Sequence, residues 1–156
     1  MNDPAQQAHR LRSPSRPLVG FAGIGVLGLA VELTMLGHWD DAEQLVAWVI
    51  LVGMAVAFAL AAVPGYERFR RAVGWLALAC VLGSLYGVWA HVRGNYDTAP
   101  LDQVYGPKWE TMSGPSRWWA AATAQVGPAP TIVPAAMAYV TAMIWLAVRP
   151  PSPTTT

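Results

Sequence analysis

Four runs of apolar residues, at 17–37, 44–63, 72–92 and 129–148, alternate along this chain with polar segments. A helix rises 1.5 Å per residue and a bilayer's hydrocarbon core is about 30 Å thick, so roughly 20 apolar residues suffice to cross it. The runs carry no polar stripe. From Leu45 to Leu60 every side chain but that of Gly53 is apolar, whereas a helix at a water-soluble surface would show a polar face. The pattern therefore predicts an all-α polytopic integral membrane protein, a four-transmembrane-helix bundle spanning 17–148.

The loops predict the orientation. Arg10, Arg12 and Arg16 precede the first run, Arg68, Arg70 and Arg71 lie between the second and third, and Arg149 follows the fourth. Asp40, Asp41 and Glu43, with Asp97, Asp102 and Glu110, occupy the two remaining loops, alongside Arg93, Lys108 and Arg117. The positive-inside bias then places both termini in the cytoplasm and the acidic loops outside the cell membrane. The first run is longer than a signal-peptide core and no small-x-small site closes it, so a retained span is expected. The tails at 1–16 and 149–156 are polar and proline-rich and are expected to be disordered.

Loop lengths constrain the packing order. Only a few residues join the first two runs, which predicts an antiparallel hairpin. The outer loop, 93–128, is far longer than a connection requires, and it holds Tyr96, Tyr105, Trp109, Trp118 and Trp119, residue types that favour the membrane interface. Within it, the stretch from Ser116 to Val126 reads as a short interfacial helix with Ser116 as N-cap. Gly94-Asn95 reads as the terminator of the third helix.

Apolar helices associate in lipid where small residues let backbones approach. Such rows are Gly25 and Gly28 in the first run, Gly53, Ala57 and Ala61 in the second, and Ala79, Gly83 and Gly87 in the third. They predict close packing of the first three helices, with Glu32 and His91 continuing those rows into the bundle.

Composition narrows function mostly by exclusion. At 156 residues, 54% hydrophobic and 12% charged, the chain has little room for a separate soluble module, and its net charge of +1 gives no reason to expect a nucleic-acid partner. The single cysteine, Cys80, has no internal disulfide partner and reads as an apolar filler. No nucleophile–base set, phosphate-binding glycine loop or paired carboxylates stand out, so no enzymatic activity is expected. Three polar residues remain as candidates. Glu32 lies within a span, where a central charge costs about 2.5 to 3.5 kcal/mol and so demands a partner, a proton or a purpose. His38 and His91 stand at the outer ends of the first and third spans, and imidazole is both a common metal ligand and a near-neutral titrator.

These features support three function classes. The first is a non-enzymatic accessory or packing subunit, whose partners are the lipid bilayer and other membrane subunits or copies of itself. The second is a redox or metal-handling protein with a transition metal or haem held by His38, His91 and Glu32. The third is a minimal transporter or channel subunit with Glu32 as coupling residue.

Overall fold

The computed structural model describes residues 16–149, so the two tails lie outside the described residues except for Arg16 and Arg149. All regular structure among the described residues is helical. Four long or intermediate helices, α1 (Arg16–Met35), α2 (Ala42–Ala62), α3 (Arg70–Thr98) and α6 (Ile132–Ala147), form the bundle, and two short ones, α4 (Gly106–Trp109) and α5 (Gly114–Ala122), belong to the segment between α3 and α6. Three helical segments, Pro17–Met35, Ala42–Ala62 and Tyr66–Leu101, are long and apolar enough to cross a membrane, with mean hydropathies of 1.9, 2.6 and 1.7. Helix α6 is apolar but has only 16 residues.

Local chemistry sets the helix ends. After Met35 the chain unwinds through Gly37, whose φ of +61° suits a residue without Cβ. Asp41 caps α2, its carboxylate accepting the Gln44 amide at 2.8 Å, while the Gln44 side chain accepts the Asp40 amide at 3.0 Å. This is a near relative of the reciprocal capping box.

Two expectations for the outer segment are corrected. Gly94-Asn95 does not end α3, which runs on to Thr98. An Arg93–Asp97 ion pair at 2.9 Å and the Thr98 hydroxyl, donating to the Gly94 carbonyl at 2.9 Å, accompany the extra turn. Ser116 is not the N-cap of α5. That role belongs to Ser113, whose hydroxyl accepts the Ser116 amide, with Pro115 in the first turn.

The four bundle helices form a ring in the order α1, α2, α3, α6, and α2 also touches α6 across it. Core residues recur at helical spacing: Ala22, Val26, Leu29 and Leu33 of α1, Leu51, Met54 and Ala57 of α2, and Met137, Val140 and Ile144 of α6. Glycines mark the close approaches. A Cβ on Gly53 would sit 2.8 Å from Cys80 Sγ, on Gly83 3.0 Å from Ile50 Cδ1, on Gly87 3.2 Å from Pro134 Cβ, and on Gly25 2.6 Å from Val140 Cγ2. Gly23, which lies outside the expected small-residue rows, belongs with them, since a Cβ there would fall 2.7 Å from the Phe58 ring.

Gly28 and Ala79 depart from the expected packing. A Cβ on Gly28 would meet nothing within 4 Å, and Ala79 is exposed. The reason is the ring order. The tight faces of α1 turn to α6 and α2 rather than to α3, so the α1 row packs at Gly25 and opens outward at Gly28. The buried hydroxyls of Ser84 and Thr141 donate to carbonyls one turn earlier in their own helices, Cys80 at 2.8 Å and Met137 at 2.7 Å, which suits an apolar setting.

Candidate functional site

The end of the bundle that carries the segment between α3 and α6 gathers many of the polar side chains. Helix α3 stands above the core there and α5 packs on its last turns. Asn95 is fully buried at this junction. Its amide nitrogen donates to the carbonyls of Ala129, at 2.8 Å, and Ala121, at 3.2 Å, and its carbonyl oxygen accepts the Ala129 amide at 2.9 Å. One side chain thus ties α3 to the end of α5 and to the strand of chain entering α6. Gly127, at φ +77°, lets that chain pass against Asn95, since a Cβ there would fall 2.6 Å from the Asn95 Cα.

Aromatic rings fill the remainder of this cap. Tyr96 stacks on Trp118 with ring centroids 4.4 Å apart and meets the buried Trp109 edge-on at 5.3 Å. Arg117 crosses Trp109 and donates to the carbonyls of Glu110 and Met112 at 2.8 and 3.1 Å, joining α4 to α5. A wide-mouthed groove of about 450 Å³ opens beside these rings, floored by Tyr105, Met112, Pro115 and Trp119 and edged by Ser116 and Gln125.

One turn below Asn95, His91 Nδ1 lies 3.0 Å from the Pro130 carbonyl oxygen. A carbonyl can only accept, so Nδ1 carries a proton and Nε2 is the nitrogen left for other partners. His38, in the turn after α1, places its ring centroid 6.5 Å from that of His91, tilted by 50°. Its backbone is pinned as well, because the Trp48 indole donates to the His38 carbonyl at 2.6 Å and stacks near Trp39. Burial lowers the His38 pKa below its ordinary value, the charge of His91 lowers it further, and Asp41 pulls the other way.

Of the three candidate residues, the structure brings His38 and His91 together and leaves Glu32 apart. Glu32 is exposed rather than turned into the bundle, and among the described residues its carboxylate has no hydrogen-bond or ion-pair partner. Helical geometry supplies the reason. Leu29 and Leu33 hold the core direction, and one residue's 100° step from Leu33 swings Glu32 off it. Among the described residues, no three His, Cys, Asp or Glu side chains converge as a metal-binding group. Asn95, by contrast, has the local propensity of a helix terminator, and the fold uses it as the clamp of this cap.

No protein-family model matches this chain, and neither a curated protein nor a solved structure does. Function is therefore argued from this arrangement alone.

Proposed function

We propose that the chain is a non-enzymatic packing subunit of a membrane assembly, held in the cell membrane by four helices with both termini in the cytoplasm. The cap then stands on the outer surface with α5 at the interface. The positive-inside bias and the ring of interfacial aromatics support this orientation. The observation that carries the packing role is the exposed Glu32. It shares the outward side of α1 with Leu27, Val31 and Met35, all exposed, and with the open backbone at Gly28. A carboxylate facing hydrocarbon is costly, and a second helix that brings a basic or hydrogen-bond-donating side chain would remove that cost. Gly28 offers such a helix a close approach. In the three longest apolar segments, Pro17–Met35, Ala42–Ala62 and Tyr66–Leu101, no more than a third of the most apolar stretch is buried within this chain, which leaves ample lateral surface.

The test is a photocrosslinker at Val31 in native membranes. We expect capture of a neighbouring membrane protein, or of a second copy, in a discrete adduct. Glu32→Leu and Gly28→Leu should each weaken that capture, by about 1 to 2 kcal/mol or roughly five- to thirty-fold, while the isolated chain keeps its helix content. Absence of any discrete adduct, or capture indifferent to both substitutions, overturns the proposal. Transport by Glu32 would need the same lateral assembly, since in a single copy the carboxylate faces outward.

A further inference from the structure

We propose that His38 and His91 form a two-imidazole clip for a divalent transition-metal ion at the outer end of the bundle. The inference rests on placement and does not depend on the packing role of Glu32. The two rings come from elements far apart in sequence, the turn after α1 and the outer part of α3, and the fold sets their centroids 6.5 Å apart. With metal–nitrogen bonds of about 2.0 to 2.1 Å, two imidazoles on one ion hold their centroids roughly 5 to 6.4 Å apart, from tetrahedral to linear. At 6.5 Å the rings stand just beyond the linear limit of that range, so ligation requires them to move slightly closer.

The surroundings favour ligation. A ligating imidazole characteristically donates its other N–H to a carbonyl or carboxylate, which fixes the tautomer and aims the free nitrogen. The Pro130 carbonyl does this for His91. The Trp48 indole fixes the peptide that carries His38. Asp41 lies near enough to His38 to act on its charge and so to offset a bound cation. Of the other charged groups at this end, Arg93 is engaged by Asp97, while Asp40 and Glu43 add to the negative balance of the turn. Two nitrogen donors with water in the remaining positions suit copper, nickel and zinc rather than magnesium or calcium, and among divalent ions of the first row copper binds such a set most tightly.

The experiment titrates Cu²⁺ into the full-length, tag-free protein in detergent. A His9→Ala background removes the third histidine, and Trp39 and Trp48 fluorescence and electron paramagnetic resonance serve as readouts. We expect one equivalent bound, quenching of the tryptophans, and hyperfine coupling to two imidazole nitrogens. His38→Gln and His91→Gln should each weaken binding at least tenfold, Glu32→Gln should leave it unchanged, and binding should fade between pH 7.5 and 5.5 as protons compete. The two-nitrogen signature of the unsubstituted site is decisive even where a variant folds poorly. A one-nitrogen spectrum, binding that survives either histidine substitution, no stoichiometric copper, or a Soret band in the purified protein would each overturn the clip.

Discussion

The apolar bundle and its outer cap are held together by different physics. In the bundle, α2 meets α3 at Gly53 and Gly83, and α6 meets α1 and α3 at Gly25 and Gly87, chiefly through shape, with one weak thiol bond from Cys80 to the Ile50 carbonyl at 3.8 Å. Dispersion between well-fitted surfaces is the binding force, and no single contact specifies a partner. In the cap, Asn95 makes three directed hydrogen bonds to two named residues, and Arg117 fastens two short helices through their carbonyls. Shape tolerates replacement of one side chain by another of like size. A buried polar network does not, because each broken bond strands its former partner.

The sharpest break in that contrast comes from Asn95→Leu. The substitution removes three hydrogen bonds and leaves both polar groups of Ala129 and the Ala121 carbonyl to find other partners. The expected cost is about 3 to 5 kcal/mol, with the cap released before the bundle melts. Amide hydrogen exchange across 99–131 should rise by orders of magnitude while the exchange of α2 stays slow. Equal protection of both regions would mean that the cap does not hang on Asn95.

A middle-sized effect distinguishes tight from open glycines in the bundle. Gly53→Leu must displace Cys80 and should destabilise the protein by about 1 to 3 kcal/mol, whereas Gly28→Leu in the isolated chain should change stability by less than about 0.5 kcal/mol. Thermal melts of the two variants in one detergent check this, and equal losses would refute the assigned packing faces.

The smallest effect is the pH dependence contributed by His38, measured with a chelator present. Its pKa is lowered in the folded state, so the unfolded chain takes up the proton first as pH falls. Stability from this group is therefore full above the ordinary imidazole value near 6.5, declines as pH drops through it, and levels off below the folded pKa. His38→Gln should flatten that part of the melting-temperature profile. The two imidazoles are partly exposed, which keeps the change small.

The same division explains what the sequence disclosed. Helices in the bundle announce themselves because an all-round apolar run has few other stable outcomes. Asp41 followed three residues later by Gln44 is a legible capping signal for α2 that the expectations above leave unused. The length of α3 was not, because Gly94-Asn95 has local propensity to stop a helix and only the distant carbonyls of Ala121 and Ala129 reveal why Asn95 continues it. Glu32 shows a related gap. Small residues identify a face that packs but not which neighbour takes it, and the α1 row divides between Gly25, which is filled by Val140, and Gly28, which is not filled. The proximity of His38 to His91 likewise depends on the turn at Gly37 and on the ring order of four helices, neither of which is encoded in the spacing of the two histidines.

Helix α6 carries one more consequence. Sixteen residues rise about 24 Å, some 6 Å less than a typical hydrocarbon core, while the 29 residues of α3 beside it rise about 44 Å. A bundle built with one short and one long member does not match a slab of uniform depth. In the four-span arrangement proposed above, thin bilayers suit α6 and thick ones strain it, at a fraction of a kcal/mol for each ångström. Because the Asn95 clamp binds the entrance of α6 to the mast of α3, that strain is delivered to the cap rather than relieved by sliding. Under the four-span arrangement proposed above, the protein is therefore sensitive to the thickness of its own solvent and is expected to fit thin membranes best.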